Sequence, residues 1–138
     1  MELSYHYLML LNDMAFKKKL FEKLAGTGLS VGQPKALDYL LSHDGCMQKE
    51  LADGLLVEAA TCATLLKKME KDKLILRQGE RRDKRIFHIY LTEKGRAFAV
   101  TVREVMYELE SETLDCLDTG EKEQLIGYLK MIRKRLMR

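Results

Sequence analysis

The sequence predicts a mainly α-helical fold with one small β-hairpin, and three observations lead to this prediction. A short amphipathic segment at Gln48–Asp53 is followed by a break at Gly54–Val57 and by a longer helical run at Glu58–Asp72. Two strand-like segments, at 75–78 and 86–91, then enclose a charged stretch. Further amphipathic segments flank this region on both sides. Short helix, turn, longer helix and hairpin form the layout of a winged helix-turn-helix core, here flanked by terminal helices.

The composition limits the class of protein. The chain has 138 residues, enough for one domain that buries roughly two-thirds of its unfolded surface. Its apolar fraction of 46% and charged fraction of 33% are typical of a soluble, helix-rich protein and not of a disordered one. The chain begins Met1-Glu2, without a basic or long apolar segment, so neither a signal peptide nor a membrane span is expected. We therefore expect a cytoplasmic protein.

The terminal helices carry more apolar surface than the core needs. We expect a single domain, 1–138, with the winged-helix core at 30–92 and a dimerisation region at 1–28 and 93–138. Apolar residues recur near heptad spacing in both flanking regions, at Leu10, Met14, Phe21 and Leu24 and again at Leu125, Leu129, Ile132 and Leu136. A compact winged-helix core cannot absorb these stripes, so we interpret them as a homodimer interface. Packing within one chain is the alternative.

Capping signals predict where the other helices begin. Ser30 and Gln33 form an S-x-x-Q box, and Pro34 follows in the first turn, where its missing N–H costs little. Thr92 is the expected N-cap of the helix after the hairpin. Asp118 opens a D-x-x-E box for the last helix. We therefore expect one helix to start at Ser30 and two others directly after Thr92 and Asp118.

The longer helix of the core has two different faces. Cys62, Leu65, Leu66 and Met69 recur at i, i+3, i+4 and i+7, which predicts one buried stripe. The opposite face carries small or hydroxylated residues first and lysines later, namely Ala60, Thr61, Thr64, Lys67, Lys68 and Lys71. In a DNA major groove, the small residues could meet base edges or a thymine methyl group, and the lysines could reach phosphates. An ordinary solvated helix face is the alternative.

The charged stretch between the strands favours DNA binding. Five basic and two acidic residues lie between Arg77 and Arg85, while the whole chain has a net charge of only +3. A wing that follows a helix-turn-helix would contact the DNA backbone or the minor groove. Asp83 is expected to pair with Arg85 and to shape the turn, whereas Arg77 could face either way. The preferred phosphate contacts are therefore Arg81, Arg82 and Lys84, with Arg77 and Arg85 completing the predicted DNA-binding set.

No site for a metal, a cofactor or a reaction is predicted. The three cysteines, Cys46, Cys62 and Cys116, are odd in number and widely spaced, which fits neither a disulfide framework nor a zinc site. Cys62 is expected in the core; the other two could be reactive thiols, but buried packing is the favoured interpretation. The three histidines are far apart in sequence. Without a nucleophile–base pair, P-loop or dinucleotide fingerprint, an enzyme is not expected.

Several short motifs follow one another in a familiar order. They are Leu29-Ser30-x-x-Gln33, Leu51-Ala52, Leu65-Leu66-x-x-Met69-Glu70-Lys71, the run Arg81–Arg85, Leu91-Thr92-Glu93-Lys94-Gly95-Arg96, and Leu117-Asp118-x-x-Glu121-x-x-x-Leu125. Together they resemble the MarR family of bacterial transcription regulators, and the most specific part is the D-x-R wing followed by L-T-x-x-G. The resemblance implies a homodimer that binds double-stranded DNA at a pseudo-palindromic operator, usually as a repressor released by a small ligand or by oxidation.

Three positions depart from the family pattern. This chain has Glu58 where the family often has serine, Thr64 where it commonly has a basic residue, and Lys73 where it usually has glycine. Glu58 suits a helix N-terminus electrostatically but repels nearby phosphate. Lys73 tolerates a positive φ less well than glycine does. The alternative function is a winged-helix protein-interaction or ligand-sensing module with weak DNA binding.

The resemblance also implies an effector pocket between the terminal helices and the core. Tyr5, Tyr7 and Lys17 could line it for a small aromatic or phenolic acid. Aromatic residues on a helix lie more often in a core or an interface. Some relatives sense peroxide through a cysteine in the first helix, but no cysteine precedes Cys46 in this chain.

Overall fold

The computed structural model describes residues 3–138, which form six helices and one two-stranded antiparallel sheet. In chain order the elements are α1 (Tyr5–Lys23), α2 (Gln33–Ser42), α3 (Gln48–Leu55), α4 (Ala59–Lys71), β1 (Ile75–Gly79), β2 (Phe87–Leu91), α5 (Glu93–Thr113) and α6 (Thr119–Leu136). The predicted mainly α-helical fold with a β-hairpin wing is thereby confirmed. Two compact units are present: one extends to Met106 and the other is Tyr107–Arg138. No described helix is both long and apolar enough to cross a membrane.

The first unit has a leucine-rich core between α2, α3, α4 and the hairpin. Side chains that are at most 1% exposed come from all of these elements: Leu37, Leu40, Leu51, Leu55, Leu66, Met69, Ile75 and Ile89. Burying one such side chain stabilises the fold by about 1.5–3 kcal/mol. Because α4 contributes to this core along one stripe, the direction of its opposite face is fixed by packing.

Two helix starts follow the capping signals in the sequence, those of α5 and α6. The Thr92 hydroxyl accepts the Gly95 N–H at 2.9 Å in the first turn of α5. At α6, Asp118 Oδ1 accepts the Glu121 N–H at 2.8 Å, and Glu121 Oε1 accepts the Asp118 N–H at 3.0 Å. These reciprocal bonds confirm the predicted capping box.

Helix α2 begins at Gln33, so the prediction that it starts at Ser30 was wrong. The reason is Gly32, which takes a φ of 88° as the N-cap and keeps the preceding residues out of the helix. Half of the predicted box still forms, because the Gln33 side-chain oxygen accepts the Ser30 N–H at 3.0 Å. Pro34 lies in the first turn, as predicted.

Helix α5 ends before Cys116. The chain leaves the helix at Thr113 and turns, with the Leu117 N–H donating to the Leu114 carbonyl at 3.0 Å. Cys116 therefore lies in this turn and is exposed, so the favoured interpretation that its thiol is buried was wrong.

Lys73 has a φ of 61°, in the left-handed region that the family pattern reserves for glycine. Its neighbours hold it there. The Leu74 N–H donates to the Met69 carbonyl at 2.9 Å, and the Thr92 hydroxyl donates to the Lys73 carbonyl at 2.7 Å. These bonds offset a conformational cost of about 1–2 kcal/mol for a residue with a side chain.

The hairpin is tied to the turn between α2 and α3. Its strands pair from Ile75↔Leu91 to Gly79↔Phe87. On the other side of β2, the Gly45 N–H donates to the Ile89 carbonyl at 2.7 Å, and the Ile89 N–H donates to the Cys46 carbonyl at 2.9 Å. The base of the hairpin is thus bonded on both sides, and the segment 80–86, called the wing tip below, lies beyond the ladder.

Apolar side chains remain exposed along α1 and α6. The exposed residues of α1 include Leu8, Leu10, Leu11 and Met14, with 39–59% of each residue exposed. Helix α6 contains no buried residue, and Leu129 and Leu136 of its predicted stripe are 47% and 70% exposed. Several exposed apolar side chains on one helix exceed the scattered single residues that are normal on a surface, so each of the two helices is a candidate interaction surface.

Candidate nucleic-acid interface

Helix α4 presents the face that the sequence predicts for DNA. On its inner stripe Cys62, Leu66 and Met69 are 0% exposed, and Leu65 is half-buried. The residues predicted on the opposite face are all exposed, namely Ala60, Thr61, Thr64, Lys67, Lys68 and Lys71. The burial of one stripe therefore turns small residues, hydroxyl groups and ammonium groups outward together.

Two of these side chains have partners within the chain. The Thr64 hydroxyl donates to the Ala60 carbonyl at 3.1 Å, so its proton is used inside the helix and its methyl group remains available. Lys68 Nζ donates to Ser30 Oγ at 2.9 Å, which joins α4 to the segment before α2. This lysine and serine pair was not predicted, because its members are 38 residues apart.

Glu58 is the N-cap of α4 and makes no side-chain capping bond there. Serine, threonine, aspartate and asparagine are the usual residues at this position because their short side chains reach the free N–H groups of the first turn. Glu58 is exposed and places a negative charge at the start of the outward face of α4. It is therefore a weak cap and an unfavourable neighbour for phosphate.

The wing tip carries exposed cations. Arg81, Arg82 and Lys84 are exposed and have no hydrogen-bond or ion-pair partner among the described residues. Asp83 pairs with Arg85 as predicted: its Oδ1 accepts the backbone N–H and Nε at 3.0 and 3.1 Å, and Oδ2 accepts Nη2 at 3.2 Å. These bonds hold the pKa of Asp83 below its usual value. The aspartate stays charged and shapes the turn, while the Arg85 side chain remains 91% exposed.

Arg77 lies at the base of the wing, apart from the tip. Its guanidinium carbon is 5.3 Å from the centroid of the Phe87 ring, and Nη2 lies 3.5 Å from Glu70 Oε1. Only 26% of its side chain is exposed, and Nε is buried without a partner among the described atoms. Arg77 therefore braces β1 against α4 through contacts made inside the chain.

The three predicted effector residues do not come together in one chain. Tyr5 and Lys17 are twelve residues apart on α1, a rise of about 18 Å along the helix. The Tyr5 hydroxyl donates to Met9 Sδ at 3.1 Å, and Lys17 Nζ lies 2.9 Å from Asp13 Oδ2. Tyr7 is half-buried.

The cysteines offer no reactive thiolate inside the first unit. Burial is the main cause that raises the pKa of Cys46 to about 11, with the charge of Glu50 adding to it. Burial also raises the pKa of Cys62, which lies in the core as predicted. Within residues 3–138, no three His, Cys, Asp or Glu side chains are grouped as metal ligands would be.

His88 makes a second contact between distant segments that the sequence did not predict. Its Nδ1 lies 2.8 Å from the Gly45 carbonyl oxygen and its Nε2 lies 2.7 Å from Glu80 Oε1. The ring thus bridges the α2–α3 turn and the first residue of the wing tip. No local signal identifies this contact, because Gly45 and His88 are 43 residues apart.

Curated proteins that are similar to this chain in sequence are transcriptional regulators. Residues 27–86 match the MarR family. The chain is 29% identical over 112 residues to the HTH-type transcriptional regulator BilQ of Clostridium symbiosum, an alignment that covers 81% of this chain and 78% of BilQ. These relatives confirm the prediction that the chain is not an enzyme.

Solved structures of MepR from Staphylococcus aureus extend the similarity to the full length. The MepR–DNA complex superposes with a TM-score of 0.90 at 28% identity and covers 98% of this chain and 99% of MepR. A MepR mutant from a multidrug-resistant clinical isolate is 30% identical, with a TM-score of 0.72 and 99% of each chain covered. The chain therefore belongs to the MarR family of winged-helix transcriptional regulators.

Proposed function

We propose that this chain is a sequence-specific DNA-binding regulator in which α4 reads the major groove and the wing tip contacts the backbone or minor groove. The observation that carries the proposal is the outward face of α4 combined with unpaired cations at the wing tip. Thr61 and Thr64 offer small surfaces to base edges, whereas lysines and arginines neutralise phosphates. MepR, at 28% identity, has been solved with DNA bound, which supports this function.

We infer that the regulator acts as a homodimer built from residues 1–28 and 93–138. The support is the exposed apolar surface of α1 and α6, which a second copy of the chain would cover. A two-fold axis would place the two α4 helices in successive major grooves, with half-sites about 34 Å apart. Sedimentation velocity should then show a dimer at micromolar concentration, and a monomer would contradict this arrangement.

We further propose that the regulator is a repressor released by a small aromatic or phenolic acid that binds beside α1. Tyr5, Tyr7 and Lys17 remain the candidate contacts. Because Tyr5 and Lys17 are far apart along α1, one small acid could contact either Tyr5 or Lys17 of a given chain, but not both. An acid at Lys17 would also compete with Asp13. A panel of such acids should weaken operator binding if this release mechanism is correct.

The DNA-binding proposal is tested by selection from a pool of random duplexes with the purified full chain. Enrichment of an inverted repeat with half-sites about one helical turn apart is the expected result. Binding without any enriched sequence would mean that α4 does not discriminate between bases. Negligible binding at low salt, with and without candidate acids, would overturn the proposal and favour a protein-interaction module.

Replacing Glu58 with serine should strengthen DNA binding and also stabilise the protein. The serine hydroxyl can cap the first turn of α4, which is worth about 0.5–2 kcal/mol of stability. Loss of the carboxylate removes a repulsion from phosphate in both protomers. Urea unfolding and fluorescence anisotropy measure the two effects.

Glu58→Gln is the matched control for that substitution, because glutamine removes the charge without providing a short cap. It should improve affinity but leave stability close to that of the wild type. If both variants bound DNA no more tightly than the wild type, Glu58 would not lie near phosphate.

A further inference from the structure

His88 is held between two groups that only accept hydrogen bonds. The Gly45 carbonyl oxygen lies 2.8 Å from Nδ1, and Glu80 Oε1 lies 2.7 Å from Nε2. A neutral imidazole has one N–H, so it can donate to only one of these acceptors. The imidazolium form donates to both and carries the charge that complements Glu80. The geometry therefore favours a protonated ring.

The two acceptors belong to segments that the hairpin ladder does not join. Gly45 lies in the α2–α3 turn, which is bonded to Ile89 of β2. Glu80 is the first residue of the wing tip, and its N–H donates to the Ile86 carbonyl at 2.9 Å. The His88 ring thus anchors the start of the wing tip to the helix-turn-helix, directly next to Arg81 and Arg82.

We propose that protonated His88 is a positioning residue for the wing, and that raising the pH releases the wing tip from the helix-turn-helix. Release of the wing tip is a property of the free protein. Only its effect on DNA affinity rests on the proposed function. His88 need not touch DNA, because it acts through Glu80 on the position of the neighbouring arginines.

The charged groups around His88 support protonation. The hydrogen bond to Glu80 is the largest cause that raises the pKa of His88, followed by the bond to Gly45 and the charges of Glu80 and Glu50, while burial opposes them. The Glu50 carboxylate on α3 accepts the Met47 N–H. In the α2–α3 turn, Asp44 pairs with Arg96 of α5. The Cys46 thiol stays neutral because its pKa is raised to about 11.

The direction of the pH effect follows from this pKa shift. A histidine with a raised pKa in the folded state stabilises its contacts fully below the unfolded value of about 6.5. That stabilisation is lost as the pH rises through the folded-state pKa. The wing tip should therefore be held firmly in mildly acidic solution and become mobile in mildly alkaline solution.

Limited trypsin digestion of the free, full-length protein tests the release. The exposed Arg81, Arg82, Lys84 and Arg85 are themselves trypsin sites, so cleavage reports directly on the mobility of the wing tip. Normalised to a reference peptide at each pH, cleavage should rise at least about threefold between pH 6 and pH 8.5 in the wild type. It should be high and nearly independent of pH in His88→Gln, while the control His6→Gln, changed on α1, should follow the wild type.

A nuclear magnetic resonance titration of His88 keeps the proposal testable should His88→Gln fold poorly. Its midpoint should lie above 6.5 in the wild type and fall in Glu80→Gln, which keeps an acceptor but removes the charge. The proposal is overturned if wild-type cleavage at the wing tip is flat with pH, if His88→Gln shows the wild-type rise, or if Glu80→Gln leaves the midpoint unchanged.

DNA affinity, measured over the same pH range, tests separately whether release of the wing tip weakens DNA binding. Affinity should fall with rising pH in the wild type and much less in His88→Gln. If both proteins lose affinity equally, His88 does not position the wing on DNA, and that role is overturned. If neither protein binds DNA at any pH, the proposed function fails, whereas trypsin and resonance data still decide whether the wing is released.

Discussion

Replacing Arg81 and Arg82 together with alanine should lower DNA affinity at least about a hundredfold at physiological salt. Both side chains are exposed at the wing tip without a partner among the described residues. The proposed dimer would lose four of its proposed phosphate contacts, which should reduce the slope of log affinity against log salt by about 3.6, at about 0.9 per contact. Fluorescence anisotropy over a salt series measures both quantities.

Lys18→Ala combined with Lys19→Ala is the matched control, because it removes the same charge from exposed positions on α1. That variant should keep the salt slope of the wild type. Thr64→Ala should instead alter the preference at one base pair, because Thr64 faces outward from α4. If the wing and the α1 variants changed affinity equally, a diffuse effect of net charge would explain binding, and the wing would have no local role.

Replacing Gly95 with alanine should destabilise the protein by about 3 kcal/mol. A Cβ at this position would lie 1.9 Å from the Leu74 carbonyl oxygen and 2.8 Å from its carbon. The clash is with backbone, and the same carbonyl accepts the Thr92 N–H at 3.1 Å, so neither side can move without breaking the joint between β1 and α5. Urea unfolding at one fixed protein concentration measures the loss.

Gly127→Ala provides the matched control within α6. An added Cβ there meets nothing within 4 Å. Alanine should therefore stabilise this helix by about 0.5–1 kcal/mol, the usual cost of glycine inside a helix. If Gly95→Ala were no worse than this control, the close approach of α5 to Leu74 would not constrain the glycine of the L-T-x-x-G motif.

Local patterns predicted much of the fold and of the α4 face. The spacing of Cys62, Leu66 and Met69 is enough to orient α4, because burying one stripe of a helix necessarily exposes the opposite stripe. The Asp118–Glu121 box and the Asp83–Arg85 pair were also predicted directly from sequence, because the two members of each pair are at most three positions apart. In these cases the interacting groups are close neighbours along the chain.

The features that the sequence did not predict depend on contacts between distant segments. Gly32 shifted the start of α2 through a backbone angle that the S-x-x-Q pattern does not encode. The position of Arg77 depends on Phe87 and Glu70, which reach it only after the hairpin has closed on α4. The bridge from His88 to Gly45 requires the α2–α3 turn to join the edge of β2. Such contacts depend on tertiary packing, which periodicity along one chain does not reveal.

The central claim is that α4 reads the DNA sequence while the wing supplies affinity for any sequence. A specificity ratio tests this claim most directly: the affinity for the selected operator divided by the affinity for a scrambled duplex of equal composition, both at physiological salt. A ratio of at least about 10³ is expected for the wild type. The ratio should persist in the Arg81 and Arg82 double variant, although both affinities fall. A wild-type ratio near one would contradict the claim, because the outward face of α4 would then bind DNA without reading it.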